Sequence, residues 1–238
     1  MKVVSATNVG NYRKNNEDFY FVNESKNLYI LADGMGGHLA GERASKMATD
    51  IIASDFEKSK EIERIEDAIE ILSSSIRDAN REIFKSSEEN EDYRGMGTTV
   101  SAGVILGDVL VYSNVGDSRI YKINRDMEQI TIDDSFVNYL IEIGEITEEE
   151  AKVHPKKNVL TKAMGTTADL DVSVNTLKME KGDIFLFCSD GLTNMVSDEE
   201  IFKVIKENSP EDARDKLIAL ALENGGMDNI TFILVFNE

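Results

Sequence analysis

Short apolar runs rich in β-branched and aromatic residues recur along the chain, and Gly, Asn or Asp bounds most of them. Runs of this kind between turn-forming residues predict β-strands. Neighbouring runs are joined by short turns such as Gly107-Asp108, which favour antiparallel pairing. The predicted strands cover residues 28–32, 98–106, 109–115, 119–123, 172–177, 184–188 and 230–236.

Longer segments place apolar residues at helical spacing opposite a charged face, which predicts amphipathic helices. They cover approximately residues 40–56, 62–84, 198–206 and 210–223, and Pro210 suits the first turn of the last one. The helices come in pairs around blocks of strands. This order predicts an α+β sandwich rather than alternating βαβ units.

Length and composition indicate one folded domain. With 238 residues, 41% of them hydrophobic, the chain can bury a substantial core. No low-complexity tract or long Gly/Ser linker divides the sequence. One continuous domain over residues 1–238 is therefore predicted.

Charge and cysteine content narrow the possible partners. Lys and Arg total 26 against 45 Asp and Glu, and the net charge of −19 disfavours nucleic acids and anionic membrane surfaces. No apolar run has the length of a signal peptide or a membrane span, so we expect a cytoplasmic protein with no membrane partner. With one Cys and two His, Cys/His zinc sites and disulfide frameworks are excluded. Any metal must be held mostly by oxygen.

Aspartates recur at the ends of predicted strands: Asp33, Asp117 and Asp190 beside Gly, and Asp228 just before the last strand. Any one of them alone is ordinary turn chemistry. Together they predict carboxylates that converge at one edge of the sandwich, where cations would relieve their repulsion. Oxygen ligands suit Mg²⁺ or Mn²⁺, and two such ions would clamp a phosphoryl group. Arg13 offers a bidentate anchor for phosphate.

Short motifs that contain these residues occur in a characteristic order. They are RKNNED (13–18), ADGMGGH (32–38), GMGTT (95–99), GDSR (116–119), LTKAMG (160–165), CSDG (188–191) and DN (228–229). In this order they closely resemble the metal-dependent protein phosphatases of type 2C, in particular their bacterial branch. The resemblance covers about residues 9–236, and the ordered set is far more specific than any single motif.

The resemblance implies a four-layer αββα fold, with two antiparallel sheets between helix pairs and metals at one edge. It also implies Mn²⁺ or Mg²⁺ as cofactor, with two ions at the core site and a third, weaker one. Asp33 would bridge the core metals, and Asp117 with Asp190 would hold the third. The implied metal ligands are Asp18, Asp33, the Gly34 carbonyl, Asp117, Asp190 and Asp228.

By the same resemblance, Arg13 binds the substrate phosphate, and Glu17 with Asp18 holds or orients metal-bound waters. Asn229 is expected to orient Asp228. These assignments place the phosphate anchor and the acidic residues in one catalytic centre.

One position departs from the family pattern. Many eukaryotic relatives carry a His where this chain has Met35, and that His is assigned as general acid for the leaving alcohol. Because a thioether cannot donate this proton, leaving-group protonation falls to a metal-bound water or to His38. Hydrogen bonding behind the ligands or capping of the following helix is the other interpretation of His38.

A strongly acidic span, residues 126–151, holds nine Asp or Glu and no Lys or Arg. A solvated helical excursion is the favoured interpretation, and a charged binding surface is the alternative. The resemblance identifies about residues 133–158, called the flap segment below, as a mobile flap beside the active site. Such a flap would bear on substrate selection or product release.

These features predict a Ser/Thr phosphoprotein phosphatase in which a water or hydroxide bridging two metals attacks phosphorus directly. Expected partners are phosphorylated proteins, with a bacterial Ser/Thr kinase as counterpart, and we expect a monomer. Two alternatives remain open: a catalytically weak, phosphoprotein-binding pseudophosphatase, and a metal-dependent nuclease or phosphodiesterase. The full set of acidic ligands disfavours the first. The net charge of −19 without a basic stripe disfavours the second.

Overall fold

The computed structural model describes residues 1–36, 39–59 and 62–238. The strands in this part are β1 (Lys2–Asn8), β2 (Asp18–Asn23), β3 (Leu28–Met35), β4 (Gly97–Thr98), β5 (Val100–Leu106), β6 (Val109–Val115), β7 (Arg119–Ile123), β8 (Met127–Gln129), β9 (Val174–Lys178), β10 (Ile184–Cys188) and β11 (Ile230–Phe236). The α-helices are α1 (Leu39–Lys58), α2 (Ile65–Glu89), α3 (Phe136–Glu142), α4 (Glu148–Lys152), α5 (Asp190–Thr193), α6 (Asp198–Glu207) and α7 (Pro210–Glu223).

The strands form two antiparallel sheets. The first sheet has the order β1-β11-β10-β7-β8. The second sheet has the order β2-β3-β5-β6-β9, and β4 pairs with β3 beside this path. The predicted α+β class with antiparallel pairing is confirmed.

Three apolar layers separate the sheets and helices. On β3, Ile30 belongs to the core between the second sheet and helices α1 and α2, whereas Tyr29 belongs to the core between the two sheets. Alternate strand residues face opposite sides, so one apolar run serves two cores. A third core packs Leu186 and Phe232 of the first sheet against Leu217 of α7. The fold is therefore the four-layer sandwich that the family resemblance implies.

Strands β1, β2 and β8 were not among the predicted strands, and all three lie at sheet edges. Strand β1 lies at a sheet edge and pairs only with β11, and Val4 is its one buried side chain. Edge strands carry little of the apolar signal on which a sequence prediction depends.

Helix α2 ends at Glu89, beyond the predicted end, because polar Ser87 continues the buried face and accepts a hydrogen bond from the Gly95 N–H at 3.0 Å.

One part of the acidic span lies on the surface, and another part forms a partly buried ion pair with strand β7. Side chains from residue 142 to 150 are largely exposed, as the solvated interpretation requires. Asp133, in contrast, is 14% exposed and pairs with Arg119 at 2.7 Å. Within the described ranges, no helix has the length and apolar character to cross a membrane. The extents of the single domain (1–238) and of the flap segment stay predictions.

Candidate metal centre

Two of the acidic motifs meet on the hairpin of β2 and β3. In this antiparallel pair, Asp18 stands opposite Asp33 in register. The Gly34 N–H donates to the Glu17 carbonyl oxygen at 3.0 Å, which closes the end of the hairpin. Asp18 is buried and Asp33 is half-buried. The second sheet therefore contributes two carboxylates to one point on its edge.

Two further carboxylates come from the first sheet, where β10 ends and β11 begins. Asp190 is the first residue of α5, and Asp228 lies two residues before β11. Their loops are in direct contact, since a Cβ on Gly191 would lie 1.8 Å from the Asn229 carbonyl oxygen. Asn194, which the sequence analysis missed, donates its Nδ2–H to Asp190 Oδ2 at 2.9 Å.

Ser189 joins the two sheets at this seam. Its hydroxyl donates to Asp18 Oδ2 at 2.8 Å, and its N–H donates to the Thr231 carbonyl oxygen at 2.9 Å. The Thr231 N–H in turn donates to Ser189 Oγ at 3.1 Å. Neither residue was predicted as part of the site, although Ser189 lies within the CSDG motif. A serine beside a strand-end Asp was the one available signal.

The carboxylates perturb one another's proton affinity. Burial, and then the charges of Asp190 and Asp228, raise the pKa of Asp18 to about 7. Burial and the charge of Asp18 raise the pKa of Asp33 well above its usual range. Burial and the charge of Asp190 raise the pKa of Asp117 to about 7. Burial and the charge of Asp228 also raise the pKa of Asp190. The structure thus brings together the predicted acidic ligands from both sheets.

The donor chemistry fits a hard divalent cation. Asp18 Oδ1 is buried and has no hydrogen-bond partner in the described part of the chain. A buried, unpartnered carboxylate oxygen is costly, and a cation would satisfy it. Over residues 1–36, 39–59 and 62–238, however, no three His, Cys, Asp or Glu side chains already converge as a chelating group. Hydrogen bonds occupy one oxygen each of Asp18 and Asp190 and both oxygens of Asp228, so a cation at Asp228 would share or displace one of these donors.

Arg13 lies beside this cluster, as its predicted role requires. Its Nη2–H donates to Asp228 Oδ2 at 2.7 Å, and the Arg13 side chain is 50% exposed. This hydrogen bond, with smaller effects of Glu17 and Asp33, raises the pKa of the guanidinium. A guanidinium has five N–H donors, so most of them remain for a phosphate.

The GMGTT motif supports Asp33 from behind. The Thr99 N–H donates to the Asp33 carbonyl oxygen at 2.8 Å, and the Asp33 N–H donates to Thr99 Oγ1 at 2.9 Å. Thr98 Oγ1 donates to the same Asp33 carbonyl at 2.8 Å. Thr99 Oγ1 and Ser118 Oγ lie 2.7 Å apart, which links this support to the residue after Asp117.

Asn229 reaches Asp228 through its backbone N–H and has a further role through its side chain. Its side chain accepts from the Glu17 N–H at 2.8 Å and donates to the carbonyl oxygens of Val9 and Asn15 at 2.9 and 3.0 Å. Only its backbone N–H reaches Asp228, at Oδ1 and 2.8 Å. The carboxamide therefore braces the loop that carries Arg13.

Met35 and His38 are the two positions that bear on protonation of the leaving alcohol. His38 lies outside the described residues. Met35 stands opposite Gly97 in the β3–β4 pair, and a Cβ on Gly97 would lie 2.7 Å from the Met35 terminal methyl group. The thioether is therefore a packing group against β4.

Because the pKa values of Asp18 and Asp117 are raised, the stability of the metal-free fold should depend on pH. Asp18 and Asp117 have pKa values of about 7 in the folded protein, against about 3.9 when unfolded. As the pH rises from about 4 to about 7, the unfolded chain releases these protons before the folded chain does, so the fold loses stability. In EDTA, the melting temperature at pH 8 should be below that at pH 5. Asp18→Asn should shrink the difference, and an equal or higher melting temperature at pH 8 would contradict this prediction.

The chain is similar to known proteins in both sequence and structure. A family model described as "Protein phosphatase 2C" matches residues 12–219. A putative protein phosphatase 2C-type of Streptococcus pyogenes serotype M6 is 38% identical over 245 residues, covering 100% of this chain and 98% of that protein. The crystal structure of the Ser/Thr phosphatase Stp1 from Staphylococcus aureus superposes with a TM-score of 0.94 at 43% identity, covering 100% of this chain and 95% of that chain.

A structure of the catalytic domain of the Ser/Thr phosphatase PstP contains two manganese ions. It is 33% identical to this chain, with a TM-score of 0.86 over 98% of this chain and 96% of that one. The family model matches most of the chain, and the identity to Ser/Thr phosphatases extends over nearly the full length. The chain belongs to the protein phosphatase 2C family, whose members are metal-dependent Ser/Thr protein phosphatases.

Proposed function

We propose that this chain removes phosphate from phosphoserine and phosphothreonine side chains of proteins, with two divalent cations, Mn²⁺ or Mg²⁺, and a third at a weaker site. The observation that carries the proposal is that Asp18, Asp33 and Asp190 lie close enough for their charges to act on one another, beside Arg13 where the two sheets meet. Carboxylates neutralised by cations, next to a guanidinium, form a pocket that attracts a phosphoryl group.

Each carboxylate has a distinct place in this proposal. Asp33 would be the central ligand, since the charges of four neighbouring aspartates act on its pKa. Asp117 and Asp190 would hold the third cation. When bound, the cations supply polarisation of the phosphoryl group and a water of lowered pKa. The proposed ligands are Asp18, Asp33, the Gly34 carbonyl, Asp117, Asp190 and Asp228.

The experiment is hydrolysis of a phosphothreonine peptide and of p-nitrophenyl phosphate with Mn²⁺. We expect EDTA and Asp190→Ala each to remove turnover of both substrates. Asp78→Ala is the control, because Asp78 lies on the surface in an exposed ion pair with Arg81. Activity that survives EDTA would refute metal dependence, and cleavage of DNA or RNA would favour a phosphodiesterase. Tight Mn²⁺ binding without turnover would favour a pseudophosphatase.

Arg13 is the proposed substrate-binding residue, and it holds and orients the phosphate before attack. Arg13→Ala should weaken inhibition by inorganic phosphate at least about tenfold, since charged hydrogen bonds contribute about 1.5–3 kcal/mol. Mn²⁺ affinity should not fall, because the substitution also removes a competitor for Asp228 Oδ2. Calorimetry with Mn²⁺ and with phosphate separates the two effects, and Arg13→Lys serves as the charge-preserving control. Loss of Mn²⁺ affinity would show that Arg13 positions Asp228 instead.

The leaving alcohol needs a proton, which we assign to a water at the centre or to His38. A His38→Gln variant distinguishes them by the pH profile of turnover. If His38 is the acid, the limb of the profile at high pH disappears and alkyl phosphates slow more than aryl phosphates, whose leaving groups need less protonation. An unchanged profile would leave water as the donor.

The proposed partners are phosphorylated proteins, made by a bacterial Ser/Thr kinase, and the protein acts as a monomer in the cytoplasm. The net charge of −19 supports protein rather than nucleic-acid substrates. A buried free thiol, Cys188, suits a reducing compartment. Sedimentation of the purified protein tests the monomer, and a dimer at micromolar concentration would contradict it.

The flap segment is proposed to select protein substrates. Replacing residues 138–150 by a short Gly/Ser linker removes most of α3 and α4 and keeps Asp133 and Asp134. We expect this change to slow phosphopeptide turnover several-fold and to leave p-nitrophenyl phosphate hydrolysis nearly unchanged. Equal effects on both substrates would contradict a role in selection.

A further inference from the structure

The turn that carries Asp117 is the crossover between the two sheets. Strand β6 of the second sheet ends at Val115, and β7 of the first sheet begins at Arg119. Asp117 is half-buried, and no side-chain hydrogen bond to its carboxylate is found in the described structure. The conformation of its turn therefore determines where this carboxylate lies.

A bidentate ion pair holds one end of this turn. Arg119 donates from Nε and Nη2 to Asp133 Oδ2 at 3.0 and 2.7 Å, and from Nε to Oδ1 at 3.1 Å. The two side chains are only 30% and 14% exposed. Arg119 Nη1 also donates to Tyr121 Oη at 3.0 Å, and Gln129 Nε2 donates to Asp133 Oδ1 at 2.7 Å. Both partners are thus held on two sides, unlike a surface ion pair.

Asp134 holds the other end of the turn. Its Oδ2 accepts from the Gly116 N–H at 3.0 Å, and its own N–H donates to the Gly116 carbonyl oxygen at 2.9 Å. Gly116 has a φ of +99°, and a Cβ there would lie 2.6 Å from Thr99 Cγ2. Asp134 therefore holds Gly116 by both its N–H and its carbonyl group.

Asp133 and Asp134 are the first residues of the flap segment. We infer that this pair forms a clamp on the Gly116–Arg119 turn and that Asp133, Asp134 and Arg119 are positioning residues for Asp117. The inference rests on the proposed function, since it assigns Asp117 to a cation. A consequence is that any displacement of the flap root also displaces a carboxylate of the metal centre.

The first test needs no metal. In EDTA, hydrogen–deuterium exchange of the Gly116 amide should become about tenfold faster in Asp133→Asn, because the clamp loses its bidentate ion pair. Asp183→Asn is the matched control: Asp183 is fully buried and pairs with Lys122 of the same strand β7 at 3.1 Å, away from the turn. Arg119→Lys keeps the charge but not the fork, and should give the same faster exchange if Asp133→Asn folds poorly. Exchange unchanged in both clamp variants would overturn the inference.

The second test is a double-mutant cycle with Asp117→Asn. In the wild-type background, Asp133→Asn should raise the Mn²⁺ concentration for half-maximal turnover, and the Mn²⁺ dissociation constant by calorimetry, about tenfold. In the Asp117→Asn background, the same change should have an effect of less than about twofold, because it acts through Asp117. The melting temperature should fall equally in both backgrounds.

Equal Mn²⁺ effects of Asp133→Asn in both backgrounds would show a merely structural role and overturn the inference. An Asp117→Asn variant with wild-type Mn²⁺ dependence would overturn it too, because Asp117 would then hold no cation. Either result leaves the proposed phosphatase reaction at the two core cations standing, provided that EDTA and Asp190→Ala still remove turnover. Activity that survives EDTA would instead refute the proposed function, while the exchange experiment would still report on the clamp.

Discussion

Asp33→Asn is expected to lower kcat/KM on the order of 10³-fold and at the same time to stabilise the protein when no metal is present. The loss of activity follows from removal of the proposed bridging ligand, which costs several kcal/mol of transition-state stabilisation. The gain in stability follows from the environment of Asp33, whose carboxyl pKa is raised by burial and by the neighbouring charge of Asp18. Removing one of several repelling, desolvated carboxylates should stabilise the fold in EDTA by on the order of 1–2 kcal/mol.

Thermal unfolding in EDTA at pH 8 and turnover with saturating Mn²⁺ measure the two effects. Asp183→Asn provides the contrast, because Asp183 is also buried but has partners: Lys122 at 3.1 Å, and Asn124 Nδ2 and the Glu180 N–H as hydrogen-bond donors. It should lose stability and keep the Mn²⁺ dependence of turnover. A destabilised Asp33→Asn protein, or one that retains activity, would contradict the proposed centre.

Gly191→Ala should have the largest effect on folding among single-methyl changes at this site. Its Cβ would lie 1.8 Å from the Asn229 carbonyl oxygen, which is a backbone atom and cannot rotate away. The loops of Asp190 and Asp228 would have to separate, and we expect a loss of about 3 kcal/mol in the free energy of unfolding. Denaturant unfolding of the metal-free protein measures this loss.

Gly107→Ala is the matched control for Gly191→Ala. Gly107 has a φ of +58°, but a Cβ there would meet nothing within 4 Å. Gly107→Ala should therefore lower the free energy of unfolding only by the cost of holding Ala in the left-handed backbone conformation, about 1–2 kcal/mol. A Gly191→Ala protein as stable as Gly107→Ala would show that the two acidic loops can move apart freely.

Local chemistry made much of the fold predictable. Strands β10 and β11 are nearly continuous apolar runs, and α7 begins at Pro210 after a Ser209 side chain that accepts from the Asp212 N–H. The acidic ligands could be found for the same reason, because each follows or precedes such a run and sits in a short motif. Periodicity and turn chemistry are both readable over a few residues.

What could not be predicted are the partners that hold the ligands. Ser189 reaches Asp18 across 171 positions of sequence, and Asn194 reaches Asp190 from the far side of a helical turn. The Arg119–Asp133 pair joins a strand to a segment that composition alone marks as solvated. Such contacts depend on how two sheets and their loops meet in space, which no local pattern encodes. The contacts of the Asn229 carboxamide with Glu17, Val9 and Asn15 were missed for this reason.

The Ser189 hydroxyl donates to Asp18 across the boundary between the two sheets, beside a core of mainly apolar side chains. Acidic groups lie on both sides of that boundary. A cation bound there would therefore link the two sheets and stabilise their packing. By mass action, a ligand at 100 times its dissociation constant adds about 2.7 kcal/mol to the stability of the form that binds it. Survival of the folded enzyme against proteolysis would then follow the free metal concentration of its surroundings, even when no phosphoprotein is present.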